Sequence, residues 1–151
     1  MGISSKINLN QFYIINTMAD ATSVAIIGGF NRYSNIDFTP GGKYLIISGR
    51  ADFPERPDRS LENEIFMADA DGNNIKLLPG AMGNNYTNAT VSYTGKWMAF
   101  VYGPTSFVSG PTLTHTHLNG NEKDIVNIVI DRSINCMKWS SDGRNLYFLG
   151  A

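Results

Sequence analysis

The sequence has a single cysteine, Cys136, so no disulfide can form within the chain. It has no apolar run approaching the ~18 residues that a transmembrane helix requires, so no membrane insertion by a helix is expected. The first residues, MGISSKINLN, lack the apolar stretch of a secretory leader. Charge is sparse as well. Asp, Glu, Lys and Arg make up 17% of the chain and leave a net charge of −1, with none of the basic footprint that nucleic-acid binding needs. Nucleophile elbows, P-loops and HExxH pairs are missing, and no cysteine–histidine pairing is apparent, so the sequence offers no catalytic constellation and implies no cofactor. Cys136, at the start of an apolar strand, is expected to be buried rather than nucleophilic.

What is abundant is glycine, asparagine, and the β-branched and aromatic residues that suit strands. Within 151 residues the pattern repeats. FTPGGKYLIIS (Phe38–Ser48), VSYTGKWMAFV (Val91–Val101) and WSSDGRNLYFL (Trp139–Leu149) each carry a turn glycine followed by a basic residue and an apolar strand. The glycines, Gly42, Gly95 and Gly143, are spaced by 53 and 48 residues. Between these units lie second hairpins, best seen in EIFMADADGNNIKLL (Glu64–Leu78). Asparagine-rich links, NRYSN (Asn31–Asn35) and NNYTN (Asn84–Asn88), recur in the same register and are expected to be loops fixed by asparagine side chains. The whole reads as an all-β chain of about twelve strands in three units of roughly 45–50 residues, a period typical of propeller blades.

KWSSDGRNLYFLG and NEIFMADADGNNIKLL resemble the PD40, or WD40-like, repeat of TolB-type β-propellers, and the resemblance runs from about Gln11 to Gly150. The last copy fits best, with Trp139, Ser140, Asp142 and Gly143 in place. Phe38 and Val91 stand at the tryptophan position of the other copies, and Gly41 and Thr94 replace the aspartate. The resemblance implies blades of four antiparallel strands, innermost first, and proteins that act as periplasmic scaffolds, hence a periplasmic or secreted location.

In that register the chain divides into a half-blade (11–30), a blade (36–78), a second blade (89–129) and a final half-blade (135–150). Three blade equivalents should not close a ring, since propellers typically have about 4–8 blades. Two sheet edges would be left open, each a template for pairing. The leading expectation is half of a six-bladed propeller whose ring is completed by a homodimer, with two composite blades related by a two-fold axis. The alternative is a piece of a longer single-chain propeller.

Functional residues concentrate on loops held by a rigid scaffold. The long connections should share one rim, which carries Arg32, Tyr33, Asn85, Tyr86 and Arg132 on the inter-blade links and Arg50, Arg56 and Arg59 on the segment Gly49–Asn63. The arginines could grip a carboxylate or an acidic patch of a partner. They are nearly balanced by Asp52, Glu55, Asp58 and Glu62, so a self-paired solvated loop is the favoured reading of this segment. Tyr33 and Tyr86 could stack on a sugar or peptide, or plug the cleft between blades. His115 and His117, at i and i+2 of a strand, face one side and are weak metal candidates without an evident third ligand. DADGNN (Asp69–Asn74) lacks the acid at the twelfth position of a calcium loop and reads as a hairpin turn. The expected function is a non-catalytic scaffold that binds a protein or peptide through the long-loop rim. Glycan binding by the repeated Asn and Tyr residues is the alternative, together with a fragment of a hydrolase- or lyase-associated propeller.

Overall fold

A computed structural model of the chain describes residues 10–15, 17–18, 23–51, 63–78, 84–104, 112–118, 125–130 and 132–150. Among them are eleven strands: β1 (Asn10–Ile15), β2 (Ser23–Phe38), β3 (Tyr44–Ala51), β4 (Glu64–Asp69), β5 (Lys76–Leu77), β6 (Asn84–Val91), β7 (Trp97–Pro104), β8 (Thr112–His117), β9 (Val126–Val129), β10 (Ile134–Trp139) and β11 (Leu146–Gly150). They form antiparallel sheets in the orders β1-β2-β3-β4-β5, β6-β7-β8-β9 and β10-β11.

The count falls one short of the sequence expectation because β2 does the work of two strands. Its first half pairs with β1, from Ser23↔Ile15 to Phe30↔Asn10. Its second half pairs with β3, from Phe30↔Ala51 to Phe38↔Leu45. The segments Asn31–Asn35 and Asn84–Asn88, expected to be loops, therefore lie inside β2 and β6. The physical reason is that β3 and β7 extend far enough to hydrogen-bond them: Arg32 pairs with Arg50, Tyr33 with Gly49 and Tyr86 with Tyr102.

The core lies between the sheets. Leu45, Ile46 and Ile47 of β3 are all fully buried, yet they serve two clusters. Leu45 and Ile47 pack with Ile27, Phe66 and Ala68 on one face. Ile46 packs on the other with Ile65, Met67 and Leu78 of its own sheet and Ala89, Val91, Met98 and Phe100 of the next. A strand covered on both faces has no polar side to alternate with, which is why KYLIIS and KWMAFV read as nearly unbroken apolar runs. A third cluster joins Val101 and Leu113 to Ile134 of the last sheet.

The first hairpin of each unit is built the same way. The backbone N–H of Thr39, Ser92 and Ser140 donates to the carbonyl five residues on, at 2.9, 2.9 and 2.8 Å. Their hydroxyls in turn accept the N–H of Tyr44, Trp97 and Asn145, at 3.1, 3.1 and 3.0 Å. Gly42, Gly95 and Gly143 close each turn with φ of 67–70°. Gly72, in the second hairpin, has a further constraint. A Cβ there would lie 1.8 Å from the carbonyl oxygen of Ile26, so the turn rests directly on the backbone of β2.

Each inner strand also carries a bulge. Register breaks at Tyr33/Asn35, Thr87/Thr90 and Asn135/Lys138. The break in β6 removes Ala89 from the ladder with β7, and the preceding blade takes over its backbone. Ser48 Oγ accepts the Ala89 N–H at 3.0 Å, while Asn35 Nδ2 donates to the Ala89 carbonyl. Asp37 Oδ2 accepts from Thr90 Oγ1 at 2.9 Å and from the Val91 N–H at 3.1 Å. Ser48 and Ala89 are fully buried, so water cannot substitute for the hydroxyl. Ser48→Ala is expected to lower unfolding stability by about 1–3 kcal/mol, the cost of leaving a buried donor unsatisfied. Urea denaturation followed by circular dichroism measures this, and a loss of a few tenths would mean the bulge finds another partner.

Candidate functional site

Concave surfaces flank the last sheet on both sides. One is an open groove of about 590 Å³ along the inner strands, lined by residues of β2, β6 and β10. Phe38 and Tyr93 are 52% and 56% exposed and line it beside Asn88 and Lys138. Asp37 also faces it, but its carboxylate is occupied by the bonds to Thr90, Val91 and the Phe38 N–H. The groove therefore offers aromatic rings and an ammonium to an incoming molecule.

Cys136 lies on this groove and is exposed, which corrects the expectation that it is buried. The cause is the bulge. Cys136 adopts φ 49°, and the left-handed backbone takes its side chain out of the alternation that a regular strand would impose. Asn88 stands at the same place in the preceding unit with φ 57°. Asparagine tolerates that conformation at less cost than cysteine. The signal was present in the sequence, since Asn35, Asn88 and Cys136 each precede a turn glycine by seven positions, but it resembled a loop signal.

The second surface is a cleft of about 710 Å³ between the outer strands of the β6–β9 sheet and β11. Trp97, Trp139, Tyr147 and Phe148 contribute rings, and Leu113 and Ile128 an aliphatic wall. His115 and His117 do share a face, and both pack on Trp97, at ring-centroid distances of 5.6 and 3.9 Å. Among the described residues no group of three His, Cys, Asp or Glu side chains converges on a point where a metal could sit.

The rim residues are only partly brought together. Arg32 and Arg50 are cross-strand neighbours, and Arg132 is exposed just before β10. Arg56 and Arg59 lie outside the described residues, and Arg32 and Tyr33 are placed by their backbone alone. Asn85 is half-buried, and its Oδ1 accepts the Asn63 N–H at 3.1 Å, which anchors the end of the long connection onto the next sheet. Tyr86 is 8% exposed; its ring meets Phe100 edge-on at 5.5 Å and stacks with Tyr102 at 5.9 Å. It fills the cleft between sheets and presents no ring face to a sugar. Tyr86 therefore gives no ring to the repeated tyrosine site that glycan binding would use.

The turns on the opposite rim are polar and self-contained. The Asp142 carboxyl is held below its ordinary 3.8 by the Ser140 hydroxyl and then by the Arg144 N–H. Asp71 is lowered in the same way by the backbone and side chain of Asn73.

Antiparallel sheets that share buried faces and present their first strands to a common groove define an arc of β-propeller blades. Solved structures show the same fold. A TolB-like structure from Agrobacterium tumefaciens has a TM-score of 0.59 at 13% identity, and covers 78% of this chain and 40% of its own. TolB from Acinetobacter baumannii gives 0.59 at 17%, over 91% and 31%. Kuenenia stuttgartiensis hydrazine synthase gives 0.60 at 15%, over 92% and 43%. The chain thus spans less than half the length of each, and at these identities the likeness is one of fold. No family model matches the sequence, and no curated protein matches it.

Two predictions test the local geometry. Cys136→Asn is expected to raise stability by about 0.5–1 kcal/mol, recovering part of the left-handed penalty of roughly 1–2 kcal/mol; urea midpoints compared at equal m-value measure it. For Asp142, a folded pKa below the unfolded one means that its turn bonds stabilise the fold above the unfolded value and are lost as pH falls through the folded one. The stability deficit of Asp142→Ala should be constant above about pH 5 and shrink towards zero at lower pH. A deficit independent of pH would show that the charge plays no part.

Proposed function

We propose that the chain is a non-catalytic interaction scaffold that binds a polypeptide, with the inner groove as its main contact surface and the arginines of the long-connection rim beside it. The observation that carries this reading is the composition of the groove. Exposed Phe38 and Tyr93 lie along the same surface as Lys138, whereas the acidic group there, Asp37, is occupied by structural bonds. Aromatic rings with an adjacent cation suit an extended peptide that carries an apolar side chain and a carboxylate. The TolB-like fold supports the scaffold reading, but fold alone does not separate it from an enzyme, since one of the structural neighbours is a synthase by name.

The test is binding of short unstructured peptides from an acidic, aromatic-rich library, measured by fluorescence polarisation. Bound peptides should lose affinity by about tenfold or more, at least ~1.4 kcal/mol, with Phe38→Ala, Tyr93→Ala or Lys138→Glu. Arg50→Ala and Arg132→Ala should weaken binding less. Absence of binding at the highest soluble concentration, or affinities unchanged by all three groove substitutions, would refute the proposal.

A further inference from the structure

The sheets at the two ends of the arc have features that the complete sheet between them lacks. In the β6–β9 sheet the second strand, β7, is hydrogen-bonded along its length to a third, β8, through six residue pairs from Trp97↔His117 to Tyr102↔Thr112. The corresponding strand of the last sheet is β11, which lies at a sheet margin with β10 as its neighbour among the described residues. Tyr147, Phe148 and Leu149 on it are 64%, 41% and 60% exposed. At the other margin, β1 carries Tyr13, Ile14 and Ile15 at 59%, 45% and 53%. Neither triplet contains the lysine or proline that monomeric proteins use to protect a free edge.

The cleft beside β11 shows what shape is missing. Between the first two sheets, the equivalent cleft is filled, and Leu118, just beyond β8, packs into it against the shared core. Between the β6–β9 sheet and β10–β11 the space stays open, with an apolar wall of Leu113, Ile128 and Ile130. What would fill it is a third and fourth strand, antiparallel to each other and apolar on both faces. The chain itself contains such a pair: β1 and the first half of β2, joined antiparallel from Asn10↔Phe30 to Ile15↔Ser23, with β1 at the margin of its sheet among the described residues.

We propose that the partner at this edge is a second copy of the chain, whose β1 pairs with β11 and whose Tyr13 and Ile15 enter the aromatic cleft. The contact is reciprocal, because the same operation carries the second copy's β11 to the first copy's β1. Two composite four-stranded blades form, and the two arcs close on each other. The inference is independent of the peptide groove, since it uses the opposite ends of the arc.

Light scattering on the full chain is expected to give twice the 16.6 kDa of one chain. Ile14→Lys and Leu149→Lys should each raise the dissociation constant by at least about tenfold, with the far-UV spectrum unchanged. A second readout does not depend on those variants folding well. In a Cys136→Ser background, chains carrying Ile14→Cys and chains carrying Leu149→Cys or Phe148→Cys should form disulfide-linked pairs on mixing, and far less within either population alone. A monomer at every concentration overturns the proposal, as it would if the edge is covered by further polypeptide of a longer protein. A dimer that both lysine variants leave intact and that gives no mixed cross-link overturns it equally.

Discussion

The arrangement depends on how one blade holds the backbone of the next. A bulge in β6 releases the N–H and carbonyl of Ala89 from their own sheet, and Ser48 and Asn35 of the preceding blade take both. Asp37 adds the Val91 N–H and the Thr90 hydroxyl. In a buried setting an unpaired peptide group costs more than a made bond gains, so these contacts act chiefly by excluding other positions of the two sheets. Apolar packing alone would tolerate sliding between sheets; side-chain bonds to particular backbone atoms do not.

The repeat preserves this logic unevenly. The turn hydroxyl at Thr39, Ser92 and Ser140 is kept in every unit, and so are its bonds. The residue that answers Ser48 one unit on is Val101, which has no hydroxyl and packs with Leu113 and Ile134 instead. The left-handed position is Asn88 in one unit and Cys136 in the next. The joint to the last sheet therefore relies more on packing and on the Trp139 indole, whose Nε1 donates to the Thr90 carbonyl at 3.4 Å. A longer bond and an ill-suited residue in the left-handed region make this joint the weaker of the two.

Strand order and the blade period were legible because both follow from local chemistry: turn glycines at 53 and 48 residues, and apolar runs that need cover on both faces. The bulges were not, because an asparagine in left-handed backbone looks the same in a sequence whether it lies in a loop or within a strand. That ambiguity turned Asn31–Asn35 and Asn84–Asn88 into expected loops and hid the exposure of Cys136. Tyr86 shows the same limit from another side. Its repetition with Tyr33 was visible, but whether a ring faces solvent or a neighbouring sheet depends on how far β7 extends, and pairing between strands decides that. The aromatic cleft was invisible for a simpler reason: Trp97, Trp139 and Tyr147 come from two sheets and meet through tertiary packing alone.

The inner groove is useful to a ligand only if its walls hold still, and here inter-blade contacts fix them both within the wall, at Asn35, Asp37 and Thr90, and beyond it. Gly143 sits so close to Thr94 that a Cβ would come within 2.9 Å of the threonine methyl, and the Gly95 turn rests similarly on Pro40 at 3.6 Å. Successive first hairpins thus abut along the short-turn rim. The second hairpin is tied in by the Ala70 N–H donating to the Lys43 carbonyl, and Leu118 repeats that bond to Lys96. These contacts set the angle between neighbouring sheets, and Pro40 is the one side chain among them that also lines the groove. Phe38, Tyr93 and Lys138 line the same wall and stand outside these contacts. A frame this regular can thus carry an irregular set of residues at the remaining groove positions from one blade to the next.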